Sequence, residues 1–490
     1  MKRISIALLF LWLGMRVAVA QQAAYLPYFT PDTTQAYQLA VAHRAAIQAH
    51  LGAPKSGNSE YREHYKRIVR EASSEVYNAI RHAALLDAEL NATAQRVFQQ
   101  IQQANPQVAA ARLVVTRNPQ ANAYAVGNGT VILNVGLLPT LENESQLAFV
   151  LCHELAHIQC RHMETTMQER LATLHSREMR RQVRRIIQAE YNINSRMKDL
   201  VMGLSLDGSY HQRRHERQAD SLGYELLKRT AYEAPQAYRT LELLDRIDEP
   251  VSREPLELGR YFSCGAFPKV FAAAPAKPQS IFTVKAPEQT VLQTTDTLKS
   301  HPDCAKRMGY LRVLAAGNVA EGPQPIAPGF ARLRSISRLE VVQSWFDTDC
   351  YDHALFDALQ LLSTDPQNEY LRSVVQLSLY ELQRHQVDHR LTEVVSNSSD
   401  HNPTNFNQLL TVLQGLRITE YQGLSACFAQ LSPATADDEF ALAARYATAM
   451  LAADHAQAAT VRQQYLARFR AGRFTALLSP LPAASGQKPR

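Results

Sequence analysis

The residues of this chain best suited to chemistry stand in one short run, Cys152-His153-Glu154-Leu155-Ala156-His157-Ile158. With about 3.6 residues per turn, His153 and His157 leave a helix on one face, a turn apart, so both imidazoles can reach the same metal ion. Glu154 falls beside such an ion rather than on it, where its carboxylate can take a proton from a water. The apolar neighbours Leu147, Phe149, Val150, Leu151, Leu155 and Ile158 make this a buried helix, with Asn143 or Ser145 to cap its start. The same five-residue pattern occurs in core helices that hold no metal, so a third ligand has to decide the reading.

Further along, Arg213-Arg214-His215-Glu216-Arg217-Gln218-Ala219-Asp220 is again helical and runs on into Tyr224, Leu226 and Leu227. Glu216 supplies the carboxylate that completes three protein ligands for one Zn²⁺, leaving the fourth tetrahedral position to water. Asp220, one turn later, can accept the outer N–H of a ligand histidine and fix its tautomer. Arg213, His211 and His215 are candidates for stabilising an oxyanion, and His162 reads as a surface residue.

The elements that must position these groups can be read around them. Helices are expected over Thr34–Leu51, Tyr61–Leu86 and Leu90–Gln103, the last closed by Asn105-Pro106. Strands follow at Arg112–Thr116, Asn122–Val126 and, after the turn Gly127-Asn128-Gly129, Thr130–Val135. Between the two motif segments, 161–200 reads as a charged helical region with Arg177, Arg180, Arg181, Arg184 and Arg185. A solvated face is its plainer reading and peripheral contact with anionic lipid the sharper one. Beyond Gly322-Pro323-Gln324-Pro325, the best linker, the chain is helical. Tyr351-Asp352-His353-Ala354 with Asp365-Pro366 is similar to one tetratricopeptide repeat, and helices at Asn368–Arg384, Asn405–Arg417, Gly423–Leu431 and Asp438–Phe469 follow.

A charge of only +6 over 490 residues, with basic side chains scattered among acids, gives no case for nucleic acid as a partner. Lys2 and Arg3, the apolar run Ile4–Met15 and Ala18-Val19-Ala20 read as a signal peptide over 1–20, with Gln21 as the first mature residue. That places the chain in the periplasm of a Gram-negative cell, and no apolar run of the mature sequence reaches the roughly 20 residues needed to span a bilayer. Secretion permits disulfides, and Cys264 with Cys304, bracketing a Pro-rich loop, is the expected pair. Cys152 and Cys160 are too far apart on one helix to bond.

His153-Glu154 with His157, followed by Glu216-x-x-Ala219-Asp220, resembles the M48 family of metallopeptidases. Further matches are Asn122-Ala123-Tyr124-Ala125, Val131 to Leu138, and Ser300-His301-Pro302 with Arg307. The usual Ser-Arg before the third ligand is Gln212-Arg213 here, and the apolar spans of membrane members between His157 and Glu216 are missing. The resemblance implies an α+β, mainly helical fold: a zincin-type metallopeptidase domain with a small β-sheet over 21–320, then an all-α, helical-repeat-like domain over 331–475 and a disordered tail over 476–490. It implies that the strand Thr130–Val135 offers an open edge to an extended substrate. It also gives His301 one of two roles, a contact to substrate or oxyanion, or occupation of the open zinc position at rest. The function to expect is a periplasmic zinc endopeptidase with one Zn²⁺ per chain, cutting unfolded or unassembled envelope proteins in quality control or assembly. The alternative is a chaperone or scaffold acting through the helical domain with little proteolysis.

Overall fold

The computed structural model describes residues 25–29, 33–52, 54, 57–86, 89–187, 213–247, 256–271, 304–431 and 437–478. Residues 1–20, expected as a signal peptide, His211, His301 and the last residues of the tail lie outside them. Among the described residues the fold is mainly helical around one three-stranded sheet of order β1-β3-β2, with β1 Arg112–Thr116, β2 Ala123–Val126 and β3 Thr130–Asn134. β1 runs parallel to β3 and β2 antiparallel to it. The strand expected to have an open edge, Thr130–Val135, is therefore central and hydrogen-bonded on both sides. The edge strands are β1 and β2, and β1 is covered at its end by the bridge from Ala84 to Thr116.

Every residue of β3 is buried, because the strand's alternating side chains feed two cores. Val131 and Leu133 join Leu113, Val115 and Ala123 on one face, against α3 (Glu89–Ala104) and α4 (Glu144–Gln159). Ile132 joins Val114 and Val126 on the other, against α1 (Thr34–Leu51), α2 (Ser59–Ala83) and α5 (His162–Leu174). The region expected as one helix from 161 breaks after α5 and resumes as α6 (Arg177–Ile187), on which all five arginines are exposed.

Helix α7 occupies 213–228. It is followed by α8 (Gln236–Asp245), α9 (Leu258–Phe262) and α10 (Cys304–Leu314). Then α11 (Pro328–Asp347) opens a series of helices: α12 (Tyr351–Thr364), α13 (Glu369–Val387), α14 (Thr404–Gly415), α15 (Glu420–Gln430), α16 (Glu439–Leu451) and α17 (His455–Arg468). The single helix expected over Asp438–Phe469 is two, turned at Ala453, whose φ of 57° is left-handed.

The cores do not divide at the Pro-rich stretch near residue 323. Phe330, Leu333 and Ile336 of α11 pack with the sheet and α4, while Leu339, Val342 and Phe346 of the same helix pack with the C-terminal helices. Leu256, Leu258, Tyr261 and Phe262, though earlier in sequence, also belong to the C-terminal core, which continues to Leu478. Two acids of α11 fasten the parts. Buried Glu340 accepts from the Tyr25 hydroxyl at 2.7 Å and from Arg117 Nε at 3.2 Å, and Asp347 meets both Arg117 and Arg473 at 2.8 Å.

The disulfide differs from expectation. Cys264 is bonded to Cys427 on α15, not to Cys304, which is buried at the start of α10 in the core beside α4. A bridge across 163 positions depends on the route of the whole chain. The Pro-rich loop that made Cys304 look near says nothing of that route.

Candidate metal centre

The motif helix begins at Asn143, whose side chain accepts the Gln146 N–H at 3.0 Å and so satisfies one of the free donors of the first turn. From Gln146 to Ala156 every residue is buried. Burying a leucine such as Leu151 or Leu155 contributes about 1.5–3 kcal/mol, and together these contacts hold the last two turns of α4, which carry His153, Glu154 and His157. Helix α7 crosses α4 at Gly223. A Cβ added there would lie 3.0 Å from both Cα and N of His153. Glycine is a poor helix former, by about 1 kcal/mol against alanine, and this close approach is the reason it stands here.

The crossing brings Glu216 to the histidine pair. His153 Nε2 and His157 Nε2 are 3.1 Å apart. Glu216 places Oε2 at 3.4 Å from the first and Oε1 at 3.5 Å from the second. Ligands about 2.0–2.1 Å from one tetrahedral ion stand roughly 3.3 Å from one another, so the two imidazole nitrogens are spaced for one Zn²⁺, and the Glu216 carboxylate presents a different oxygen to each of them. The three residues are the one group of this kind among the described residues.

Each donor is held from behind. Asp220, fully buried on α7, sets Oδ1 3.0 Å from His153 Nδ1. Arg307 of α10 grips Asp220 with two hydrogen bonds, Nε at 2.7 Å and Nη2 at 2.8 Å, and turns Nη1 to Glu216 at 3.0 Å. Arg307 belongs to the motifs of the resemblance, which give it no task. Its task is to neutralise and orient two buried carboxylates. His157 is supported by His162, Nδ1 to Nδ1 at 2.9 Å. His162 is thus no surface residue: it is 5% exposed, because Arg161 at φ 54° and ψ 41° reverses the chain between α4 and α5 and folds His162 back under His157. A signal for it existed in the short spacing from His157, but the reversal sits on an arginine, where left-handed backbone is not expected. His215 stacks on His162 with centroids 4.2 Å apart, and Arg213 stands one turn before Glu216 at the described start of α7.

The electrostatics divide the roles. Burial opposes a proton on His153, but Asp220 and Glu216 outweigh it and push its pKa up to about 10 without a metal. Burial and the neighbouring His153 lower His157 to about 3, leaving it neutral. Burial disfavours charge on Glu216 and Asp220 too, yet His153 and Arg307 hold Glu216, and Arg307 above all holds Asp220, below the usual carboxylate range. Glu154 is different. Burial raises it to about 7, with a backbone N–H bond from Ala125 of β2 among the opposing effects. A carboxyl poised near neutrality next to three metal donors can take up and return a proton. An apolar recess lined by Leu137, Phe149, Leu241 and Leu244 adjoins His153 and Glu154.

Gly223→Ala is expected to lower zinc affinity at least tenfold while the protein stays folded. The backbone of α4 cannot give way as a flexible side chain would, so α7 must shift and carry Glu216 and Asp220 off by tenths of an ångström. Chelator competition alongside thermal unfolding measures this. Wild-type affinity in the variant would mean that the crossing does not set the donor spacing.

Residues 84–315 match the model of Peptidase family M48. Among curated proteins, the chain is similar to the beta-barrel assembly-enhancing protease of Yersinia pestis, 44% identical over 62 residues, which is 12% of this chain and 13% of that protein. It is also similar to the protein of the same name from Escherichia coli (strain K12), 29% identical over 133 residues, 26% of this chain and 27% of the relative. The chain thus matches about a quarter or less of the length of these curated relatives.

Proposed function

We propose, from the match of residues 84–315 to the model of Peptidase family M48, that the chain is a zinc-dependent endopeptidase that hydrolyses peptide bonds of unfolded or unassembled envelope proteins. The observation that carries this reading is the pair of imidazole nitrogens 3.1 Å apart, with one Glu216 oxygen 3.4 Å from the first and the other 3.5 Å from the second, and the Glu154 carboxyl at their side. His153, His157 and Glu216 hold the ion, which when bound polarises the scissile carbonyl and acidifies a water. Glu154 removes the proton of the attacking water and returns it to the leaving amine nitrogen. Asp220 keeps His153 in the tautomer whose Nε2 is free to ligate, and Arg307 keeps both carboxylates charged.

The substrate enters as an extended backbone beside β2, the one of the two edge strands that also supplies the Ala125 N–H to Glu154. The C-terminal helices hold the polypeptide being processed. In support of this, a cavity of about 330 Å³ opens among α13, α15 and α16, with Arg372 and Arg445 over a floor of Phe428, Ala441 and Ala444. β-Barrel assembly as the task draws on the name of the relatives, and the envelope as the place of action on the signal peptide expected over 1–20. Among the described residues no helix is long and apolar enough to cross a membrane.

Zinc analysis of the full chain, with digestion of an unfolded protein, tests the proposal. Wild type should bind one zinc and release peptides. Glu216→Ala should lose the metal, and Asp220→Ala should bind it about 10- to 100-fold more weakly. Zinc held by Glu216→Ala as tightly as by wild type would move the third ligand elsewhere.

A further inference from the structure

Outside the three donors and their two charged supports, the site contains a further line of side chains that the reaction does not use. His157 Nδ1 faces His162 Nδ1 at 2.9 Å, and His162 Nε2 faces Gln218 Oε1 at 3.1 Å. His162 is buried, its ring lies 13° from parallel on that of His215, and His215 Nδ1 is 3.3 Å from the Thr166 hydroxyl. Gln218 is exposed and sits on α7 two positions after Glu216.

From this geometry we infer that His162 is a positioning residue for the metal: through its link to Gln218 it fixes the tautomer and ring orientation of His157. With the Gln218 amide oxygen facing His162, one arrangement of hydrogens satisfies the line. The amide oxygen of Gln218 can only accept, so His162 Nε2 carries the hydrogen and His162 Nδ1 is left with its lone pair. Two imidazole nitrogens at 2.9 Å need one hydrogen between them, so His157 Nδ1 must be the donor. Its Nε2 then has the free lone pair, and Nε2 is the atom that faces His153 and Glu216. Without the line, a free imidazole would divide between two tautomers, one of which places an N–H where the ion belongs.

The two ligand histidines are thereby held in chemically different ways. His153 leans on a carboxylate that is itself paired with Arg307, whereas His157 leans on a neutral ring. The backing of His157 runs from α5 to α7, so the same helix that brings Glu216 also settles His157. The left-handed turn at Arg161 makes the contact possible, a sparsely populated conformation of the kind found where the surroundings over-determine it.

This inference rests on the metal-site reading above, and the test separates the two. The probe is zinc alone, added to the full chain in competition with a chelator, and the metal-free chain labelled with ¹⁵N-histidine is read by NMR for the His157 tautomer. Phenylalanine at 162 keeps the stack on His215 but has no nitrogen. His162→Phe should weaken zinc by about 10- to 100-fold and turn His157 from a single Nδ1–H form into a mixture. His162→Asn, whose Oδ1 takes the place of Nδ1 as acceptor, should restore affinity to within about threefold of wild type. Gln218→Leu, an exposed change that spares the fold, should also produce the tautomer mixture, and so serves if His162→Phe does not fold. Zinc bound by a folded His162→Phe within about twofold of wild type, or His162→Asn as weak as His162→Phe, overturns the role of His162. A wild type that binds no zinc overturns the metal-site reading itself.

Discussion

Glu154→Gln is expected to bind zinc like wild type and to cleave an unfolded protein about 10²- to 10⁴-fold more slowly, the usual worth of a general base. The amide has the size of the carboxyl and fits the same buried place, so the packing of α4 and the three donors on either side are preserved. What it lacks is a lone pair basic enough to accept a proton. Burial raises the carboxyl to about 7, so wild type has a base whose strength matches neutral pH. Asp220 and Glu216, held well below the usual range by burial offset against Arg307 and His153, are too weakly basic to replace it. Peptide release by Glu154→Gln at the wild-type rate would remove Glu154 from the reaction. A wild type that binds zinc and prevents aggregation, yet releases no peptides, would favour the scaffold reading.

How much of this was legible in the sequence depends on the range of the interaction involved. His153, Glu154 and His157 are a matter of helical periodicity, and Glu216 with Asp220 repeats it one turn apart, so five side chains that meet in space could be named from spacing alone. The Asn143 cap and the three strands are equally local. The order β1-β3-β2 is not, because the parallel pairing of Arg112–Thr116 with Thr130–Asn134 sends β3 between its neighbours and leaves β1 and β2 at the edges. Strand propensity carries no information on which strand ends outermost. His162 was misjudged for a related reason: a helix is expected to continue or to end at glycine, whereas α4 ends in a left-handed arginine. Cys427 and the shared helix α11 are out of reach, since both depend on how segments far apart in the chain settle against each other.

Arg307→Met should cost the metal-free protein about 3–5 kcal/mol, the price of leaving a buried charge without its partner. The guanidinium is 5% exposed and reaches both Asp220, which has no exposure at all, and Glu216. Methionine fills much of the same volume, so the loss is one of charge and hydrogen bonds rather than of packing. The pH dependence distinguishes this from a cavity effect. Burial works against ionised Asp220, and Arg307 overcomes it to depress the pKa. A group whose folded pKa is depressed contributes stability above its unfolded pKa, near 3.9, and loses it as pH falls through the folded value. The gap between wild type and Arg307→Met should therefore be full at pH 7 and shrink as the pH is taken below about 4, where the carboxyls protonate and no longer need the cation. Arg307→Lys keeps the charge but not the two-pronged grip on Asp220, and should fall between the two. Denaturant unfolding in the presence of a chelator, from pH 7 to pH 3, measures all three proteins. A gap that stays constant across that range would assign Arg307 to packing and take from it the role of holding Asp220 and Glu216 in their charged, metal-ready state.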